Sequence, residues 1–281
     1  MIELNRKTAV VTGAASGLGL AMARAFCREG MRVVLVDLPG VALEQALASL
    51  LEEGGDALLI AADVADARAV EVLAEQIDAL GGVDLLCNNA GITGDRPRAS
   101  WAHDLGNWRR VLDVNLMGVI HGLHSFVPRM IASGRPGHIV NTASMGGLMA
   151  IPFIAPYVAA KAALVALSES LAIELRTEGA AIGVSVLCPG MVPSGLTGPG
   201  RDHPQSTAQE PSAAARQFQA RTQETLENAR LSADDVAIAL IAAIREERFY
   251  VLTHEGSLEL AGQRWQRLNQ EQSTRNRSQQ A

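Results

Sequence analysis

Seven short runs of aliphatic and β-branched residues punctuate the chain, at 8–11, 32–36, 57–61, 83–86, 138–142, 182–187 and 249–252. Between them lie Ala- and Leu-rich segments with helical periodicity, at 18–29, 43–53, 67–80, 105–132 and 157–177. Strand alternating with helix predicts an α/β fold in which a parallel sheet is covered on both faces, because parallel neighbours need crossover connections. One helix start is sharply marked: Ser232, with Asp235 three residues on, forms a capping box ahead of the apolar run 236–244.

The rhythm breaks at 193–230, a stretch rich in Pro, Gly, Ser and Gln that is far longer than an ordinary connection. It reads as a substrate lid, with an amphipathic helix at 213–229 that turns Phe218, Thr222, Leu226 and Ala229 to one side. Beyond Gly256 another amphipathic helix holds Leu258, Leu260 and Trp265, and a polar tail without core-forming residues follows from 270 to 281. One domain is expected over 1–256, carrying the lid, with the helix and tail at 257–281.

Composition narrows the function. With 281 residues, 48% hydrophobic and 19% charged, the chain can bury a large core. A formal charge of -6 without long like-charge blocks gives no footprint for nucleic acid or an anionic membrane. The longest purely apolar stretch, 237–244, is far too short to span a bilayer, and the start of the chain lacks the features of a secretory signal, so a cytoplasmic protein is expected. Cys27, Cys87 and Cys188 match no metal spacing and read as three buried small hydrophobes. No metal site is expected.

The first strand runs into Thr12-Gly13-Ala14-Ala15-Ser16-Gly17-Leu18-Gly19 ahead of a helix. Glycines there allow a tight turn and close approach of a pyrophosphate to the helix N-terminus, although a plain strand-to-helix turn has the same look. Asp37 ends the second strand eighteen residues after Gly19, near the spacing at which an acid receives a ribose hydroxyl. It repels a 2′-phosphate, and Leu38-Pro39-Gly40 offers no compensating cation, so NAD is expected over NADP. Asp63-Val64 and Asn88-Asn89-Ala90-Gly91 fall at the ends of the third and fourth strands, where open parallel sheets bind ligands. Asp63 also reads as a helix cap, and Asn88 or Asn89 as a knot between strands.

Only two lysines and two tyrosines occur in the chain, yet Lys161 follows Tyr157 by four residues. At that spacing both side chains share a helix face, and an ammonium beside a phenol favours phenolate, a general base. Lowering a phenol from about 10 to between 7 and 8 takes roughly 3 to 4 kcal/mol. A unit cation at about 4 Å provides on the order of 4 kcal/mol at an effective dielectric of 20. Ser144 stands at the exit of the fifth strand, where it could polarise a carbonyl oxygen or merely shape a turn. Asn115 interrupts the apolar stripe Trp108, Val111, Leu112, Val119 and Leu123, either tying the helix to a loop or holding a water on a proton path.

Together these residues resemble the short-chain dehydrogenase/reductase family in its compact single-domain branch, over roughly 5–255, through Thr12 to Gly19, Asp63, Asn88 to Gly91, Asn115, Ser144, Tyr157, Lys161 and Pro189-Gly190. The resemblance implies a doubly wound, seven-stranded Rossmann-type sheet, Tyr157 as acid/base, Ser144 as orienter of the substrate oxygen, and Lys161 on the nicotinamide ribose. It implies Asn115 supporting a relay water, cofactor contacts from Gly13, Ser16, Gly17, Leu18, Gly19, Asp37, Leu38, Asp63, Val64, Asn89, Ala90, Gly91, Pro189, Gly190, Val192 and Ser194, and a homotetramer or dimer. One departure stands out: where the family often has a threonine after Pro-Gly, this chain reads Met191-Val192-Pro193-Ser194. Ser194 can make a similar hydrogen bond, and Pro193 stiffens the root of the lid.

The reading is an NAD-dependent oxidoreductase of a hydrophobic secondary alcohol or ketone of aryl, terpenoid or steroid-like type. Met145, Leu148, Met149, Ile151, Phe153, Met191 and Leu196 form an apolar pocket without an obvious cationic clamp. An NADH-dependent reductase of a small ketone or acyl substrate, and a non-catalytic NAD-sensing regulator, are the alternatives.

Overall fold

The computed structural model describes residues 3–196 and 210–280, so the part of the expected lid at 197–209 lies outside the described residues. Seven strands form: β1 (Thr8–Thr12), β2 (Arg32–Asp37), β3 (Asp56–Ala61), β4 (Leu85–Asn88), β5 (Gly137–Thr142), β6 (Ile182–Cys188) and β7 (Tyr250–Leu252). They make one sheet in the order β3-β2-β1-β4-β5-β6-β7, parallel at every pairing. Chain order reverses between β1 and β4, which opens a crevice at the strands' C-terminal ends.

Strand side chains alternate between two cores. Ala9, Val11, Val33 and Leu35 face α1 (Gly17–Arg28), α2 (Val41–Glu52) and α9 (Ala233–Arg245), while Val10, Val34 and Val36 face the opposite layer. That layer is α3 (Ala67–Ala79), α5 (Gly118–Ser133) and α7 (Ala155–Thr177), which contribute Leu73, Ile77, Phe126, Met130, Leu171 and Leu175. Strands buried on both faces explain why their sequences are continuous apolar runs. The fold is the doubly wound Rossmann-type sheet expected.

The capping box forms in full: Ser232 Oγ accepts from Asp235 N–H at 3.2 Å, and Asp235 Oδ2 accepts from Ser232 N–H at 2.9 Å. Four features differ from expectation. The helix foreseen at 105–132 is α4 (Leu105–Leu112), a π turn over Asp113–Met117, and then α5. A short α6 (Met145–Leu148) follows β5. The lid helix foreseen at 213–229 does form, as α8 (Ala213–Glu227), whereas α10 (Ser257–Gln280) runs on as helix through the segment foreseen as a polar tail. Cys87 and Cys188 are buried, but Cys27 is only half-buried. No helix among the described residues is long and apolar enough to cross a membrane.

Candidate active site

The glycine turn leads from β1 into α1. Gly17 has φ of 56°, and a Cβ there would stand 2.3 Å from the Ser194 carbonyl oxygen, so only glycine permits both the turn and its closure against the segment after β6. A Cβ on Gly19 would meet Gly13 O at 2.1 Å. Ser16 is the N-cap of α1 yet makes no side-chain cap bond, and no acid lies in the first turn. By contrast α3, α4, α8 and α9 are all capped by a side chain. The N–H groups and positive dipole end of α1 are thus left for an anion, which is the fit a dinucleotide pyrophosphate requires.

Asp37, at the end of β2, accepts from Ala15 N–H at 2.9 Å through Oδ2 and from Leu38 N–H at 2.8 Å through Oδ1. Each oxygen keeps a lone pair for a hydroxyl donor. Leu38 is exposed beside it. Asp63 does not cap α3; that is done by Asp66, and Asp63 Oδ1 instead accepts from Ala65 N–H at 2.9 Å in a turn. Val64 beside it is buried against the Gly118 backbone.

The asparagines divide between the two readings. Asn88 Nδ2 donates to Asn141 Oδ1 at 2.9 Å, and Asn141 passes the chain to Ser168, so Asn88 knits β4, β5 and α7. Asn89 Nδ2 donates to Thr12 O, and the Asn89 and Ala90 N–H groups both donate to Thr12 Oγ1, which fixes the Asn89-Ala90-Gly91 backbone against the glycine turn. Asn115, with no exposure, lies in the π turn and brackets Ile92: Oδ1 accepts from Ile92 N–H and Nδ2 donates to Ile92 O, both at 2.8 Å. This is the loop tie. A Cβ built on Gly91 would be 3.3 Å from Asn115 Oδ1 and 3.5 Å from Lys161 Nζ, so the three meet.

Tyr157 and Lys161 lie on the buried face of α7, 7% and 3% exposed. Lys161 Nζ donates to Thr142 O at 2.6 Å and stands 5.8 Å from the Tyr157 ring centroid. Ser144 Oγ accepts from Gly146 N–H at 3.1 Å, leaving its own proton to donate. The electrostatics of the pair are set by burial in the protein without a dinucleotide. Burial holds the phenol above its ordinary 10, and the hydrogen bond from Ser144 lowers it by less. Burial also lowers Lys161 to about 8, so the amine stays protonated at neutral pH against a desolvation cost.

The geometry has now brought a glycine turn, an acid at the end of β2 and a Ser-Tyr-Lys cluster to one edge of a parallel sheet. The family model for short chain dehydrogenase matches residues 7–205. The chain belongs to the short-chain dehydrogenase/reductase family. It is accordingly an oxidoreductase acting on CH–OH groups with a nicotinamide cofactor. It is 37% identical to the 1-deoxy-11-beta-hydroxypentalenate dehydrogenase of Streptomyces avermitilis over 254 residues, 90% of this chain and 86% of that one. A short chain dehydrogenase/reductase from Burkholderia phymatum, solved in complex with NAD, superposes with a TM-score of 0.90 at 36% identity, covering 96% of this chain and 97% of that one. A Beutenbergia cavernae protein described as a putative NAD(P)-dependent gluconate 5-dehydrogenase, solved with NADP bound at low occupancy, gives a TM-score of 0.75 at 32% identity, covering 92% of this chain and 98% of that one.

Some positioning residues of this family member escape a sequence reading. His254 holds the turn after β6: Nδ1 accepts from Gly190 N–H at 3.1 Å and Nε2 meets Met191 O at 3.1 Å. It fixes Pro189, Gly190 and Val192 from 64 residues away in the chain. The pocket residues Leu148, Met149, Ile151, Phe153, Met191 and Leu196 are half-buried, while Met145 is buried. Leu196 packs with Ile92 and Ile154 against Tyr157, and Phe153 meets Phe218 of α8 with ring centroids 5.7 Å apart.

Proposed function

We propose that the chain is an NAD-dependent dehydrogenase of hydrophobic secondary alcohols, the reverse reaction being reduction of the matching ketones. The observation that supports this reading is the Tyr157, Ser144 and Lys161 cluster beside half-buried apolar residues such as Ile92, Ile154 and Leu196, with the Asp37 carboxylate at the end of β2.

Gly13, Ser16, Gly17, Leu18 and Gly19 hold the pyrophosphate through backbone N–H groups. Asp37 takes the adenosine ribose hydroxyls, with Leu38, Asp63 and Val64 flanking the adenine; no cation stands at Leu38-Pro39-Gly40 to receive a 2′-phosphate. Asn89, Ala90 and Gly91 border the second ribose, and Lys161 donates to it. Pro189, Gly190, Val192 and Ser194 hold the carboxamide. Bound there, the nicotinamide supplies the hydride acceptor for oxidation and the donor for reduction. Ser144 donates to the carbinol oxygen, and Tyr157 takes its proton as the C–H bond breaks. Asn115 orders the Ile92 loop beside Lys161, on the route by which that proton reaches relay water. The protein works in the cytoplasm, as a dimer or tetramer through α4, α5 and α7.

A panel of aryl and cyclic secondary alcohols assayed with NAD+ and NADP+, for the native chain and Tyr157→Phe, tests the reading. Turnover with NAD+ that disappears in Tyr157→Phe is expected. Absence of turnover across the panel, or retention in Tyr157→Phe, overturns it.

A further inference from the structure

The loop between β4 and α4 carries a cation with no counterion among the described residues. Arg98 is 8% exposed, and its Nε is buried with no hydrogen-bond partner. Among the described residues, no carboxylate lies within ion-pair distance of it. The nearest acid in sequence, Asp95, is committed elsewhere: Oδ1 pairs with Arg110 Nη2 at 2.6 Å. A guanidinium cannot shed its proton to escape burial, and an unpaired buried charge is strongly unfavourable. His103 is not a second cation, since burial keeps its imidazole below its ordinary pKa and both ring nitrogens meet partners, Phe153 O at 3.2 Å and Asn107 Nδ2 at 3.4 Å.

The backbone of this residue is tied to the segment that leads into Tyr157. Arg98 N–H donates to Phe153 O at 2.8 Å, the carbonyl that His103 also holds. Phe153, in the left-handed region with φ of 66°, precedes Tyr157 by four residues. From the same loop, Thr93 donates to Leu196 O at 3.3 Å, next to the cluster around Tyr157. The loop is therefore tied at two points to segments that flank Tyr157.

We propose that Arg98 recognises a carboxylate on the substrate, so that the physiological alcohol is an apolar hydroxy acid whose acid group pairs with this guanidinium while its carbinol faces Tyr157. The planar fork suits bidentate pairing with a carboxylate, and a ligand anion supplies the charge the fold leaves out. The hydroxy-acid assignment rests on the alcohol-oxidising reading above; the carboxylate site does not.

Two measurements separate them. In the first, adamantanecarboxylate and adamantanecarboxamide are compared for their effect on the melting temperature of the native chain, Arg98→Met and Arg98→Gln. The acid alone should stabilise the native chain, and neither variant should respond. Arg98→Met keeps the apolar stem and removes an unpaired charge, so it should fold at least as well as the native chain. In the second, an apolar hydroxy acid and its methyl ester are turned over. Arg98→Met should raise KM for the acid about 10- to 100-fold and leave the ester within about twofold, with kcat little changed. Equal responses to acid and amide in the native chain, or an acid response that survives both substitutions, overturn the proposal. Binding of the acid through Arg98 without turnover of any alcohol defeats the catalytic reading and leaves the carboxylate site standing.

Discussion

Lys161 Nζ is tethered to the Thr142 carbonyl at 2.6 Å, which holds an amine at 3% exposure beside the Tyr157 ring. Burial depresses its pKa from 10.5 to about 8. The unfolded chain then binds more protons than the folded one between those values, so stability rises with pH across that window. The cost of keeping this group charged at neutral pH is about 3 kcal/mol. Lys161→Met should lose at least about a hundredfold in kcat, yet it should lack the gain in stability that the native chain shows from pH 8 to 10.5. Urea unfolding across that range checks the difference in slope.

The phenol can be watched directly because Tyr157 and Tyr250 are the two tyrosines in the chain. Burial pushes Tyr250 up to about 12, and its hydrogen bond to the Glu169 carboxylate adds to the shift. Tyr157 is also raised above 10 while no dinucleotide is bound. Difference absorbance should therefore show less than half of either tyrosine ionised at pH 10 in the free protein. With saturating NAD+, one phenolate should appear at lower pH, and it should be absent in Tyr157→Phe. An early phenolate in the free protein would show that Lys161 alone activates the ring.

The sequence makes some of the fold and site legible and leaves the rest hidden. Strand runs, the capping box at Ser232 and Asp235, and the i, i+4 pairing of Tyr157 with Lys161 are periodic or local, so their physics is written in neighbouring residues. The π turn at Asn115 arises where the side chain brackets Ile92, 23 residues earlier. The His254 hold on Gly190 and the Asn89 brace on Thr12 span 64 and 77 residues and leave no local pattern. The extent to which Tyr157 and Lys161 are desolvated is not legible for the same reason. Spacing reveals that a cation is near, but desolvation depends on everything packed around both groups.

Asp37 bridges Ala15 and Leu38 through different oxygens, so its substitution tests charge apart from shape. Asp37→Asn keeps the side-chain outline and one of the two backbone bonds while removing the repulsion toward a 2′-phosphate. KM for NAD+ should rise about tenfold, and preference for NAD+ over NADP+ should fall by about 10- to 100-fold, since charge juxtapositions here are worth a few kcal/mol. Competition assays with both dinucleotides read this out. Unchanged discrimination in Asp37→Asn would place cofactor choice elsewhere.

His138 gives the fold an acid limit. Its Nε2 meets Ser185 Oγ at 2.9 Å, Ser185 Oγ donates to Arg248 O at 2.7 Å, and Nδ1 is buried without a partner. A Cβ on Gly183 would stand 2.5 Å from that Nδ1, so the neighbouring strand leaves no room for water. Burial therefore lowers the imidazole from 6.5 to about 4. The folded state stays neutral in the window where the unfolded chain takes up a proton, so the contribution is complete above pH 6.5 and is lost as pH falls to about 4. It amounts to about 3 kcal/mol. His138→Leu abandons the Ser185 bond and should be less stable at pH 7 by about 1 to 3 kcal/mol. It should also lose correspondingly less stability than the native chain between pH 6.5 and 4. Parallel unfolding curves for the two proteins throughout that window would mean that His138 does not set the acid limit.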